Sequence, residues 1–163
     1  MKATHRVICI CSGNICRSPM AVALLREELA VREIPAVVIS AGTLGIQGRR
    51  AADFARQVIS EKGSRWSRHI EEHRSQGISS GLLQLAEHLI IMDRSHYAYL
   101  EQEAPSLLSR VVPIWEFSGV TPPLNGIADP IGKDAEAFRS CRDLLEEALI
   151  RWVDQTFGTA KNH

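Results

Sequence analysis

Cys11-Ser12-Gly13-Asn14-Ile15-Cys16-Arg17-Ser18-Pro19 follows directly on the apolar run Val7-Ile8-Cys9-Ile10. So short an apolar run reads as a buried strand, here residues 5–11. Ser18-Pro19 reads as a helix start: serine is a natural cap, and proline lacks only an N–H that would be unpaired there. A strand, a short loop and a helix therefore follow one another. The loop carries one cysteine and one arginine six positions apart. Loop N–H groups and a helix N-terminus converge naturally on an anion. Gly13 and Asn14 tolerate a tight backbone. Arg17 adds a planar fork for two phosphoryl oxygens. The same positive field favours the thiolate of Cys11. The string predicts a phosphate-binding loop of Ser12, Gly13, Asn14, Ile15, Cys16, Arg17 and Ser18, with Cys11 as nucleophile. Ser18 has two open roles, capping the helix or donating to the Cys11 sulfur.

The rest of the chain alternates strands with helices. Helical spacing runs from Pro19 to about Leu29. Residues 36–40 form a second strand closed by Ala41-Gly42, and Ala51 to about Glu61 a second helix ended by Gly63. A short helix at 79–87 precedes a third strand at 89–92 and a helix from Ser95 to Glu103. Val111-Val112-Pro113-Ile114 is a fourth strand, placed at an edge by its proline. Residues 118–132 are a loop rich in Gly, Pro, Asn and Asp. Ala135–Phe157 is the longest helix, with Phe138, Cys141, Leu145, Leu149, Trp152 and Val153 on one stripe. This alternation predicts an α/β fold in three layers. A central four-stranded parallel twisted sheet is flanked by helices, with the phosphate-binding loop after the first strand. Ligands in such folds bind beyond the carboxyl ends of the strands, where this loop lies.

The 163 residues, 45% of them hydrophobic, suit one domain spanning 1–163. Lys+Arg and Asp+Glu stand at 19 each, so charge gives no reason to expect a nucleic-acid or membrane partner. Arg49-Arg50 and the basic residues from Arg65 to Arg74 read as solvated surface. No apolar run has the length of a membrane span, and no signal-peptide pattern precedes the first strand, so the cytoplasm is the expected location. Three of the four cysteines crowd the first strand and loop, which suits a reactive centre better than a disulfide framework. His5, His69, His88 and His163 have no partners at metal-ligand spacing and read as surface or packing residues. Asp53 reads as a first-turn carboxylate and Asp93 as an N-cap of the following helix, although Asp93 also ends a strand that could face the site.

With these residues in hand, the chain resembles the low-molecular-weight protein tyrosine phosphatase family. The resemblance rests on Cys11 to Pro19, on Ser40-Ala41-Gly42-Thr43, His73-Arg74, Met92-Asp93-Arg94-Ser95-His96 and Asp129-Pro130, in order along nearly the whole chain. It implies Cys11 as nucleophile, Arg17 as phosphate clamp, Ser18 as stabiliser of the thiolate and Asp129 as general acid and base. It also implies Ser40 and His73 as supports of Asn14. A reversible Cys11–Cys16 disulfide under peroxide is implied as well, with Cys16 protecting the nucleophile. No cofactor and no metal are implied. The implied partners are an oxyanion such as inorganic phosphate in the site and a phosphotyrosine-bearing protein substrate, a bacterial tyrosine kinase being one example. A monomer is the expectation.

Two positions bear on specificity. Many tyrosine-directed members carry aromatic residues right after Asp-Pro. Here those positions are Ile131 and Gly132, leaving Trp115 or Phe117 to supply an aromatic wall, or no wall at all. Ile15 points the other way. Bacterial relatives that act on phosphoarginine carry threonine there, and an apolar residue suits an aryl ester. Phosphotyrosine is therefore the first expectation and phosphoarginine the alternative. A second alternative is a catalytically weak phosphoprotein-binding or interaction module, which the intact Cys11, Arg17, Ser18 and Asp129 disfavour. Arsenate reduction is disfavoured because no cysteine lies between Cys16 and Cys141.

Overall fold

The computed structural model describes residues 2–119 and 121–159. His163, read above as a surface or packing residue, lies outside them. Four strands, β1 (His5–Cys11), β2 (Ala36–Gly42), β3 (His88–Ile91) and β4 (Val111–Pro113), form one all-parallel sheet in the order β2-β1-β3-β4. The helices are α1 (Arg17–Val31), α2 (Asp53–Ser60), α3 (Ser64–Glu71), α4 (Ser80–Leu85), α5 (Arg94–Glu103) and α6 (Ala135–Phe157). The expected α/β sheet with flanking helices is the fold observed.

β1 is central and buried from Val7 to Cys11, which is why its sequence is an unbroken apolar run. From β1 the chain moves to β2 on one side and later to β3 on the other. That reversal opens a crevice at the carboxyl end of β1, where the Cys11 loop lies. Right-handed crossovers place α1 and α5 on opposite faces, because β1 to β2 and β3 to β4 run in opposite directions across the sheet. α1 packs on α3 and α6, whereas α5 packs on β3 and β4.

Several local readings are corrected. α1 begins at Arg17, so Ser18 is not its cap and Pro19 is not its first residue; the N-cap position falls to Cys16, with no side-chain cap. The reason is tertiary: the Ser18 hydroxyl is engaged by the loop instead. Part of the basic stretch read as solvated surface forms α3, and its Arg65 and Arg68 side chains are exposed, as read. Its Arg65 and His69 converge on Glu27 of α1, at 2.7 and 2.8 Å, and the Glu27 side chain is only 4% exposed. Burial alone would push that carboxyl up, but the hydrogen bond with His69 and the charge of Arg65 hold it below its ordinary value. Short 3-10 turns at Pro105–Arg110 and Ile114–Phe117 flank β4. The second of these packs on α6 and carries Trp115 into the core at 4% exposure, so Trp115 is not available to border a substrate entrance. Phe117 is partly buried against the same core. No helix among the described residues is long and apolar enough to cross a membrane.

Candidate active site

The loop after β1 is built around Asn14. This residue adopts a left-handed backbone at φ 57°, which asparagine tolerates better than most. Every polar atom of Asn14 is engaged. Its main-chain N–H donates to Cys11 Sγ at 3.3 Å. Its Nδ2 donates to Ser18 Oγ and Ser40 Oγ, each at 2.8 Å. Its Oδ1 accepts from the Gln76 N–H at 2.9 Å, and its carbonyl oxygen pairs with His73 Nε2 at 2.6 Å. Buried polar groups satisfied this completely hold a loop in one shape. The structure thus brings Ser40 and His73 onto Asn14. Gln76 was missed by sequence reasoning, since its contribution is a main-chain N–H that any residue carries.

Ser18 Oγ lies 2.9 Å from Cys11 Sγ. The oxygen already accepts from Asn14, which frees the hydroxyl proton to go to sulfur. Cys11 therefore sits beneath two donors, the Ser18 hydroxyl and the Asn14 N–H. Gly42, paired with Cys11 across the sheet, is required here: a Cβ on it would lie 2.6 Å from the Ser12 carbonyl oxygen. The chain after β2 clamps the loop through Thr43 N–H to Cys11 O and Leu44 N–H to Ser12 O, both at 3.0 Å.

Arg17 is 2% exposed. Its Nη1 donates to Asp93 Oδ2 at 2.6 Å and to the Ile127 carbonyl at 2.8 Å. Its Nη2 makes only longer contacts, to Ser12 Oγ at 3.3 Å and Asp129 Oδ2 at 3.5 Å. Its Nε is buried without a partner among the described residues. One nitrogen is therefore tethered, while the Nε/Nη2 edge, the edge that grips two oxygens of an oxyanion, is left unpaired or weakly paired. Burial disfavours the guanidinium charge, but Asp93, Cys11 and Asp129 together raise its pKa above the ordinary value.

Asp93 caps α5, as expected, through the Ser95 N–H at 2.8 Å. Its second oxygen holds Arg17, so the cap reading and the site-facing reading are both realised. Burial would raise this carboxyl; hydrogen bonds from Ser95 and Arg17 outweigh it and hold the group low. His96 was missed. It is fully buried; its Nδ1 accepts from the N–H groups of Met92 and Asp93, at 3.3 and 3.1 Å, and its Nε2 lies 3.0 Å from Ser12 Oγ. Burial pushes its pKa down to about 4. Asp93 at the N-cap and His96 three residues on, one capping and one reaching back, form a capping box, and a histidine three residues after an aspartate was the available signal.

Asp129 is reached through a loop strapped to the end of β3. The Ile127 N–H donates to the Met92 carbonyl at 2.7 Å, and Gly126 bridges to Asp93. The Asp129 side chain is 35% exposed, and its Oδ1 accepts from the Ile131 N–H at 3.1 Å. Cys11, Arg17 and Asp129 thus meet although they come from β1, α1 and the late loop. Ile15 is half-buried beside Gly13: a Cβ on that glycine would lie 3.5 Å from Ile15 Cγ1 and 3.9 Å from Ile46 Cδ1. Leu44 and Ile131 are exposed close by in sequence to the clamp and to Asp129.

All four cysteines are free and buried. Burial, with nearby negative groups, pushes Cys16 up to about 12; burial likewise raises Cys9 and Cys141 to about 12. Among the described residues no group of three or more His, Cys, Asp or Glu side chains is placed to share a metal ion.

Comparison with known proteins places this site in context. The chain is 31% identical over 152 residues to a protein-arginine-phosphatase of Geobacillus stearothermophilus, covering 93% of this chain and 95% of the relative. It is 32% identical over 148 residues to a probable low molecular weight protein-tyrosine-phosphatase, EpsP, of Ralstonia nicotianae, covering 90% and 92%. The crystal structure of the tyrosine phosphatase Wzb from Escherichia coli K30 in complex with sulphate superposes with a TM-score of 0.79 at 28% identity, covering 92% of this chain and 96% of that one. The profile of the low molecular weight phosphotyrosine protein phosphatase family matches residues 6–161. This chain belongs to that family of phosphatases.

Proposed function

We propose that this phosphatase is a phosphoric monoester hydrolase acting on phosphotyrosine in proteins, through a cysteinyl-phosphate intermediate. The observation that carries the chemistry is the Cys11 sulfur beneath the Ser18 hydroxyl and the Asn14 N–H, beside an arginine whose buried Nε has no partner among the described residues. Cys11 attacks phosphorus in line, and the bond from phosphorus to the phenolic oxygen breaks. Asp129 gives its proton to the leaving oxygen. Water then attacks the cysteinyl phosphate, Asp129 takes a proton from that water, and the S–P bond breaks to release phosphate and the thiolate. Arg17 and the loop N–H groups hold the charge on the equatorial oxygens through both steps.

The apolar pair Ile15 and Ile46 beside Gly13 supports an aryl ester. Specific observations favour a second reading, phosphoarginine. Ile131-Gly132 follow Asp129-Pro130, Trp115 is buried in the core, and one of the relatives above is a protein-arginine-phosphatase.

The test is hydrolysis of p-nitrophenyl phosphate by the reduced protein with chelator present, beside Cys11→Ser, followed by matched phosphotyrosine and phosphoarginine peptides. Turnover that disappears in Cys11→Ser and favours the phosphotyrosine peptide supports the first reading. Preference for phosphoarginine replaces it with the second. A folded wild type that binds phosphate without turnover points instead to a binding module.

A further inference from the structure

We propose that the Ser12 side chain is a substrate-binding donor in this site, its hydroxyl proton set by His96 to meet a nonbridging oxygen of the bound phosphoryl group. The proposal rests on the phosphatase reading above and adds a residue to it.

Two main-chain N–H groups point at Nδ1 of His96, so that nitrogen is an acceptor and the ring proton is on Nε2. Burial, which lowers the ring pKa to about 4, keeps His96 in this neutral form at neutral pH. Nε2–H then donates to Ser12 Oγ at 3.0 Å. Nη2 of Arg17 donates to the same oxygen at 3.3 Å. A hydroxyl oxygen has two lone pairs and one proton. Both lone pairs are taken, and among the described residues no protein acceptor holds the proton.

That proton is also well placed. Ser12 follows the nucleophile directly and is half-buried. The Nη2 that touches Ser12 at 3.3 Å also lies 3.5 Å from Asp129 Oδ2, so the hydroxyl and the acid both flank this arm of the arginine fork. A phosphoryl oxygen seated on Nη2 enters the neighbourhood of the Ser12 proton. Two fixed donors leave the hydroxyl little rotational freedom to lose on binding. His96 acts through Ser12 and is a positioning residue.

The experiment measures inorganic phosphate affinity by titration calorimetry together with kcat and KM for p-nitrophenyl phosphate. The proteins are wild type, Ser12→Ala, Ser12→Thr, Ser12→Val, His96→Gln and the Ser12→Ala/His96→Gln double variant. Ser12→Ala is expected to weaken phosphate about tenfold and lower kcat/KM by a similar factor, the size of a lost hydrogen bond to a charged group. Ser12→Thr, which keeps the hydroxyl, is expected to stay within about threefold of wild type. Ser12→Val, close to threonine in shape, is expected to behave as Ser12→Ala, so the Thr/Val pair decides even if alanine disturbs the loop. The double variant is expected to bind phosphate no more weakly than Ser12→Ala alone. Equal phosphate affinity in the threonine and valine variants overturns the proposal, as does a full additional loss in the double variant. Because binding is read separately from turnover, a wild type that binds phosphate in a Ser12-dependent way without hydrolysis overturns the hydrolase reading and supports this one. Turnover with Ser12-independent binding does the reverse.

Discussion

Arg17 and Asp93, separated by 76 positions in the chain, meet at 2.6 Å where α1 and α5 face the same loop. The pairing ties Arg17, the proposed phosphate clamp, to the cap of another helix, because the other oxygen of Asp93 accepts from the first turn of α5. Nη1 is held in this way, while Nε of the same guanidinium has no hydrogen-bond partner among the described residues.

The two roles of Asp93 separate by substitution. Asp93→Ala removes the cap, worth about 1 kcal/mol, and leaves a buried guanidinium without its carboxylate, a further loss of about 1–3 kcal/mol. Asp93→Asn keeps the cap through its one amide oxygen but turns an NH2 toward Arg17 Nη1, so it loses both the charge and that acceptor. Urea unfolding is expected to rank wild type above Asn and Asn above Ala, while kcat/KM falls at least about tenfold in both variants. Full activity in Asp93→Asn would show that the carboxylate charge does not hold Arg17.

Gly126 is the point where the loop carrying Asp129 touches the chain just past β3. Its φ is 112°, and a Cβ there would lie 2.4 Å from Asp93 Cα and 2.5 Å from the Met92 carbonyl oxygen. Backbone, not a flexible side chain, blocks the space. Gly126→Ala is expected to cost about 2–4 kcal/mol in thermal or urea unfolding and to lower activity by displacing Asp129 and the Ile127 carbonyl together. Gly132→Ala, where a Cβ meets no atom within 4 Å, serves as the control, its cost limited to a left-handed φ of 76°.

Acid should weaken the fold before carboxylates titrate. Burial holds His96 down at about 4, and His73 and His88 are lowered for the same reason. The unfolded chain binds protons near pH 6.5 that the folded rings refuse, so this stability is complete above about pH 6.5 and is lost as pH falls. For His96 the window runs down to about 4, and the loss reaches about 3 kcal/mol. Asp93, held low, adds its own loss at still lower pH. Urea midpoints across pH 7 to 4 are expected to fall, with a shallower slope in His96→Gln; an unchanged slope would remove His96 from the account.

Thiol chemistry should single out one cysteine. Cys9, Cys16 and Cys141 are buried thiols raised to about 12. Only the thiolate is nucleophilic, so at neutral pH these three are expected to resist iodoacetate. Cys11 beneath its donors is expected to take one carboxymethyl group and to be protected by inorganic phosphate. Peptide mapping by mass spectrometry checks this, and modification at Cys16 ahead of Cys11 would contradict it.

Residues that act through their neighbours in sequence were readable directly. Val7 to Arg17 announces strand, tight loop and helix because an apolar run, a left-handed asparagine and a helix start are all local events. The long helix at Ala135–Phe157 and the edge position of β4 follow from periodicity and from one proline. Ser18 shows the limit. Its type allowed a cap or a sulfur donor, and only the position of Asn14 Nδ2 at 2.8 Å selects the second. Trp115 could have faced the entrance by sequence, but packing on α6 turned it inward.

By itself, then, the sequence determined the sheet and the tight loop that carries Cys11 and Arg17 after its first strand, because hydrophobic period and backbone preference are properties of short segments. Tertiary structure alone decided that Asp93 grips Arg17, that His96 addresses Ser12, that Gln76 completes Asn14 and that Glu27 gathers Arg65 and His69. Those contacts join residues dozens of positions apart. Each exists because burial leaves a polar group no water, so it must take whichever partner the fold brings within about 3 Å.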